Sequence, residues 1–218
     1  MLNLPSRSIY NKRIPKNKFY KIIGTDNRLE TKFTQELDYI IWKHKLSKET
    51  TNLESTKEVE EIQVFEFFLK TMDLSVEVLE NIDRVIPYPI LYILRFADKV
   101  KLSIAYKEKN KLDENRMVIH SYYETEWVRG DELNFEILSG ITLKDVYDNI
   151  IRQLLPLKSK GNEDIEDLIE LNQRIEKLKK EIDTLEKKVQ REKQFNKKVE
   201  KNKELRKKIR ELENLRAK

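Results

Sequence analysis

Across residues 163–218 the chain contains neither Pro nor Gly, and apolar residues recur at Leu168, Leu171, Ile175, Leu178, Ile182, Leu185 and Val189. The steps alternate between three and four residues, which is the heptad seam of a coiled coil. Leu168, Ile175, Ile182 and Val189 take the a positions, mostly β-branched, and Leu171, Leu178 and Leu185 take the d positions. That choice favours two parallel strands. The stripe is narrow, so it suits one partner helix better than a broad core. Glu163, Asp164, Glu166 and Asp167 begin the segment after Asn162, the expected N-cap, and Arg210, Arg216 and Lys218 end it. These are the signs a helix dipole favours at its two ends. The spacing predicts one helix over 163–218, roughly 84 Å long at about 1.5 Å per residue.

The register weakens between Glu192 and Val199, then resumes at Leu205, Ile209 and Leu212, with Asn202 one heptad before Ile209. Asn at an a position fixes register, and the break reads as a stutter or a bend. An intermolecular coiled coil through Leu168, Leu171, Ile175, Leu178, Ile182, Leu185, Val189, Ile209 and Leu212 is the favoured arrangement. A hairpin folded back within the chain fits the same pattern, although no turn residue marks a midpoint. A lone solvated helix is the third arrangement.

The remaining 1–157 must supply the core. Hydrophobic residues make up 39% of the chain and charged residues 38%, below and above the usual shares, as a compact domain joined to a solvated helix requires. There is no Cys and only His44 and His120. Disulfides, thiolate metal sites and thiol nucleophiles are therefore excluded. No metal or cofactor is expected. No apolar run is long enough to span a bilayer and no apolar leader opens the chain, so a cytoplasmic location is expected.

The body reads as α+β, with a mixed or antiparallel sheet of about five strands and flanking helices. A basic arm covers 1–25, the α+β domain 26–157, a linker 158–162, and the coiled-coil helix 163–218. Leu29, Phe33, Leu37, Ile40, Ile41 and His44 share one helical face, predicting a helix from Asp26 or Asn27 to Lys45, with His44 as a structural histidine. Residues 61–70 are apolar on both alternating faces, as in a strand covered on both sides. A helix over 76–85 is stopped by Ile86-Pro-Tyr-Pro-Ile90, because Pro lacks the amide donor and biases its predecessor away from helix. Residues 90–96 and 100–106 flank Ala97-Asp98-Lys99 as a hairpin. Strands follow at 117–124 and 133–138, and a helix capped by Thr142 runs to Pro156.

Four Gly in the whole chain make Gly-rich phosphate loops unavailable. Glu66 is the most informative acid: it lies in an otherwise apolar strand, so it must be paired, protonated or open to a cleft. A metal-dependent nuclease would place it with Lys70 or Lys107 and with Glu36, Asp83 or Glu124. No acid-x-Lys triplet stands in that strand, which favours a structural ion pair. His120 alternates with apolar neighbours and reads as structural, and the run Tyr122-Tyr-Glu-Thr-Glu-Trp127 reads as core and edge packing.

Charge is concentrated at the ends. Residues 1–25 hold six basic groups and no acid, residues 191–218 carry a net +7, and the middle carries −8. Lys12, Arg13, Lys16 and Lys18 in the arm, and Lys207, Lys208 and Arg210 in the tail, are candidates for nucleic-acid phosphates. The same residues serve equally as solvated charge, or as partners of the acidic middle.

Five segments in order, Asn11-Lys-Arg-Ile-Pro-Lys-Asn-Lys-Phe-Tyr20, Ile41-Trp-Lys-His-Lys-Leu-Ser47, Ile62-Gln-Val-Phe-Glu-Phe67, Ile82-Asp-Arg-Val-Ile-Pro-Tyr-Pro-Ile-Leu91 and Ile104-Ala-Tyr-Lys107, resemble the bacterial domain-of-unknown-function family 4391. The resemblance covers roughly residues 2–157. The family has no settled activity, so no catalytic residue carries over. Its members often lie beside helicases and DNA methyltransferases of restriction-type defence loci, which implies an accessory role around DNA. The expectation is a non-catalytic interaction or adaptor protein assembling through its C-terminal helix, with itself, another helical protein, or a helicase or methyltransferase. The alternatives are a nucleic-acid-binding protein using both basic ends, or a divergent metal-dependent nuclease.

Overall fold

The computed structural model describes residues 2–22, 27–110, 117–157 and 163–216. The predicted linker and the expected cap Asn162 lie outside them. The chain divides into two compact units, Met1–Leu155 and Pro156–Lys218. No helix of the described residues is long and apolar enough to cross a membrane.

The first unit is α+β, built on a mixed sheet. Its strands are β1 (Ile9–Ile14), β2 (Leu37–Leu46), β3 (Ile62–Leu69), β4 (Ile90–Phe96), β5 (Lys99–Lys109) and β6 (Met117–Glu124), in that spatial order, with β7 (Val128–Arg129) pairing β5. All pairs are antiparallel except β3–β4. That parallel pair needs a crossover, supplied by α4 (Val76–Val85). β3 is buried at every position but Phe68, which is half-buried, as its two-sided apolar pattern requires.

Helices α1 (Asn17–Ile22) and α2 (Asn27–Glu36) join α4 on one face of the sheet. Phe19, Phe33, Leu79 and Ile82 pack there against Ile40, Phe65, Phe67 and Tyr92. Helix α5 (Leu143–Leu154) lies on the other face, where Tyr147 stacks on Tyr106. Its hydroxyl accepts from the Lys107 amide at 2.6 Å and donates to the Ala105 carbonyl at 2.7 Å. Those two groups flank a register shift in β5, so one phenol satisfies the backbone that the bulge unpairs. Thr142 caps α5 as expected, accepting from the Asp145 amide.

Two expectations about this unit need correcting. The helix expected to run to Lys45 ends at Glu36, and residues 37–46 form β2. Its Ile, Trp and Tyr content satisfies both periods, and the unpaired edge of β3 decides for the strand. Within the basic segment 1–25, β1 pairs with β2 and Phe19 of α1 is buried in the core. Residues 133–138 form no strand, although Leu133 and Ile137 are buried.

The β4–β5 hairpin turns through Ala97, whose φ is +52°. A Cβ disfavours that left-handed region. Ala97→Gly is therefore expected to stabilise the chain by about 1 kcal/mol, measured by urea unfolding, with an unchanged or lowered midpoint contradicting the assignment.

The second unit consists of α6 (Ile165–Arg191), capped by Asp164, and α7 (Phe195–Arg216). The single helix predicted over 163–218 is thus two, lying antiparallel: Arg174 pairs with Glu211, Glu181 with Lys208 and Glu192 with Lys201. The bend has no Gly or Pro because a carboxylate substitutes for them. Glu192 accepts from the Gln194 amide at 3.1 Å and pairs with Lys201 at 2.5 Å. Lys201 first, and that amide second, hold its carboxyl down at about 2. Ile175 and Leu178 pack on Leu215, with Leu171 and Leu212 alongside. Among the described residues, the seam's partner helix is α7 of the same chain.

Candidate recognition pocket

Behind α4 lies a buried charge pair. Lys107 Nζ sits 2.5 Å from Asp83 Oδ1, and both side chains are fully buried. The ammonium also donates to the carbonyls of Asp83, Ile86 and Tyr88 at 3.3, 2.9 and 2.8 Å. Those carbonyls end α4 and lead into the Pro-Tyr-Pro segment, so Lys107 closes the open C-terminal end of the helix dipole. Tyr122 donates its hydroxyl to the Asp83 carboxylate. Burial pushes the Asp83 carboxyl up and pulls the Lys107 amine down, while each partner opposes the shift of the other.

Glu66 faces away from this cluster and is 3% exposed. Arg95 Nε donates to one carboxylate oxygen, and Lys43 Nζ lies 3.0 Å from the other. Lys70 is elsewhere, donating to the Thr34 carbonyl at 2.8 Å. The weak catalytic candidates Glu66, Lys70 and Lys107 are therefore not brought together. Nor do the other acids converge: Glu36 accepts from the Ser75 amide and hydroxyl, and Glu124 pairs with Lys101 and Ser103. Among the described residues, no group of three or more His, Cys, Asp or Glu side chains is placed to hold a metal ion. His44 accepts or donates at 2.9 Å to Ser8, and His120 lies 3.1 Å from Glu108.

A cavity of about 450 Å³ opens on the helical face. Ile14 of β1 and Lys18 and Phe19 of α1 form one side, and Trp42 and Lys45 of β2 with Gln63 and Phe65 of β3 form the floor. Val85 and the Ile86-Pro87-Tyr88 turn close it. Lys107 pins that turn from behind through the Ile86 and Tyr88 carbonyls. Four of the five segments that carry the family resemblance thus line one cavity, and the fifth supports its closing turn through Lys107. The volume is that of a small-ligand or side-chain site.

Polar groups at the floor form a chain. Lys45 Nζ lies 2.9 Å from Glu61, and the Gln63 side-chain N–H donates to the same Glu61 oxygen at 2.7 Å. The amide of Gln63 is thereby oriented, and its Oε1, buried in a residue 3% exposed, has no hydrogen-bond partner among the described residues.

Of the nucleic-acid candidates, Lys12 donates to the Tyr10 hydroxyl, Arg13 lies over the Tyr39 ring and Lys16 donates to the Leu37 carbonyl. Lys18 stays exposed at the cavity rim. Lys208 is tied to Glu181, but Lys207 and Arg210 stand with Lys203 and Arg206 on the outer face of α7. Sequence reasoning missed the cavity because its walls come from an arm, a mis-assigned helix, a strand and a Pro-rich stop. The order of the five segments was its only signal.

No curated protein and no solved structure matches the chain. The family model described as Domain of unknown function (DUF4391) matches residues 2–212. The match extends through most of α7, beyond the body to which the five segments had confined the resemblance, and the chain belongs to that family.

Proposed function

We propose that this chain is a non-catalytic interaction protein, cytoplasmic, whose body recognises a partner through the cavity beside α1. The observation that carries this reading is the convergence of four of the five family segments on one preformed apolar cavity, with Lys107 of the fifth holding the turn that closes it, while the buried charges Glu66, Asp83 and Lys107 are committed to ion pairs. The family's setting makes an accessory role in DNA restriction or phage defence, beside a helicase or methyltransferase, the favoured context. The hairpin contributes to assembly through the faces its two helices leave open, including Phe195, 78% exposed near the bend.

The competing enzymatic reading is tested by incubating the full chain with duplex DNA, single-stranded DNA and RNA in Mg²⁺ or Mn²⁺. All substrates are expected to remain intact. Cleavage that depends on the divalent ion and disappears in Glu66→Gln overturns the proposal.

A second reading has one observation behind it. Lys203, Arg206, Lys207 and Arg210 fall on one exposed face of α7 and have no ion-pair partner among the described residues. Such a stripe meets phosphates by counterion release, so binding through it would fall steeply with salt.

A further inference from the structure

We propose that the outer face of α7 binds a single-stranded nucleic acid, its cations on the phosphates and Phe195 stacked on a base. This deepens the phosphate reading of that face and rests on it; the cavity reading is independent of both. α7 carries nine basic and four acidic residues. Leu212 and Leu215 turn one side of the helix toward α6, and the cations near that side hold the hairpin together, Lys208 on Glu181 and Lys201 on Glu192. Lys203, Arg206, Lys207 and Arg210 follow one another at steps of three, one and three, which places them together on the opposite side. All four are exposed and without an ion-pair partner among the described residues. Glu211 borders them but is held by Arg174. Glu200, Glu204 and Glu213 are exposed without pairing with any of the four. Phe195, 78% exposed, and Val199 extend the same line toward the bend, four residues apart and four before Lys203.

Charge complementarity calls for a polyanion, and two of the four cations are Arg, whose planar fork matches phosphate oxygens in pairs. The exposed ring selects among polyanions. In a duplex the bases are stacked on both faces, and opening a step costs energy. A single strand offers free base faces, and an aromatic side chain beside a cationic track is how such strands are held without sequence preference. A membrane surface would need an apolar stripe along the helix. Here the apolar residues of the outer line, Phe195 and Val199, sit at one end, and Leu212 and Leu215 are taken by α6. An acidic protein segment would satisfy the charges and leave the ring unused.

The test titrates the full chain against fluorescein-labelled oligothymidylate of about fifteen nucleotides, a length within the usual span of such sites. Oligouridylate, a duplex and an abasic strand of equal length, and a polyglutamate peptide are titrated alongside, all by fluorescence anisotropy. Oligothymidylate is expected to bind saturably, with a log–log salt slope of about −3 for four single-strand phosphates. Oligouridylate should bind alike, because phosphates and base faces are common to both. Phe195→Ala should weaken the single strand about tenfold and leave the salt slope, the duplex and the abasic strand unchanged, while Phe195→Trp keeps the affinity. The double substitution Arg206→Gln and Arg210→Gln should halve the slope to about −1.5. All these positions are exposed, and circular dichroism confirms that each variant is folded. A silent Phe195→Ala, a strong preference for either sugar, or polyglutamate bound as tightly as the strand would each overturn the assignment. If the duplex binds as tightly as the single strand and the Arg substitutions weaken both, the single-strand assignment falls and the phosphate reading stands. No binding of either nucleic acid at low salt removes both.

Discussion

Lys107→Met is expected to destabilise the α+β body by about 3–5 kcal/mol, as removal of one member of a buried ion pair does elsewhere. Two losses combine. Asp83 keeps a fully buried carboxylate with its cation gone, and the Ile86 and Tyr88 carbonyls lose the ammonium that satisfies them. Urea unfolding followed by tyrosine and tryptophan fluorescence measures the change. The variant should recover relative stability in acid. Burial raises the Asp83 carboxyl, and the substitution removes Lys107, the largest influence that pulls it back. The charge penalty is then present above the raised folded value and relieved as pH falls through it. Adding Asp83→Asn should return part of the loss at neutral pH. A midpoint unchanged within error would mean that the pair does not hold the turn that closes the cavity.

Leu178→Glu is expected to open the helical hairpin. Leu178 is 4% exposed and packs with Ile175 and Leu215. Losing a buried leucine costs about 2–5 kcal/mol, and the buried carboxylate adds to it. Amide hydrogen exchange across α7 should accelerate about a hundredfold or more, taking roughly 1.4 kcal/mol per factor of ten. Because the seam is satisfied within one chain, wild-type protection should not change with protein concentration. Protection in α7 that rises with concentration would show that the seam pairs between molecules, and exchange unaltered by the substitution would show that Leu178 does not hold the hairpin.

What the sequence made legible follows from which residues carry unambiguous signals. The doubly apolar β3, the stop at Pro87 and Pro89, the Thr142 cap and the 117–124 strand were all readable from local patterns. The heptad seam was legible as a surface needing a helix, but not which helix. The bend depends on Glu192 reaching Gln194 and Lys201, and such capping leaves no Gly or Pro in the sequence. β2 failed because Ile40, Ile41 and His44 suit a helical face as well as a strand, and only pairing with β1 and β3 decides. Glu66 was readable as a group needing a partner. Its partners Lys43 and Arg95 lie on different strands, so topology had to name them.

The claim that this protein acts through a bound partner is tested most directly by isolating the full chain from its own cells. Wild type should be compared with a cavity variant, Phe19→Asp, and a surface variant on α7, Lys207→Glu. Folding of each is verified by circular dichroism, with Gln63→Trp as a second cavity block if Phe19→Asp unfolds. The account predicts a stoichiometric protein partner with wild type and Lys207→Glu, lost when the cavity is blocked. Equal recovery from all of them, or a wild-type chain that emerges alone, would contradict it.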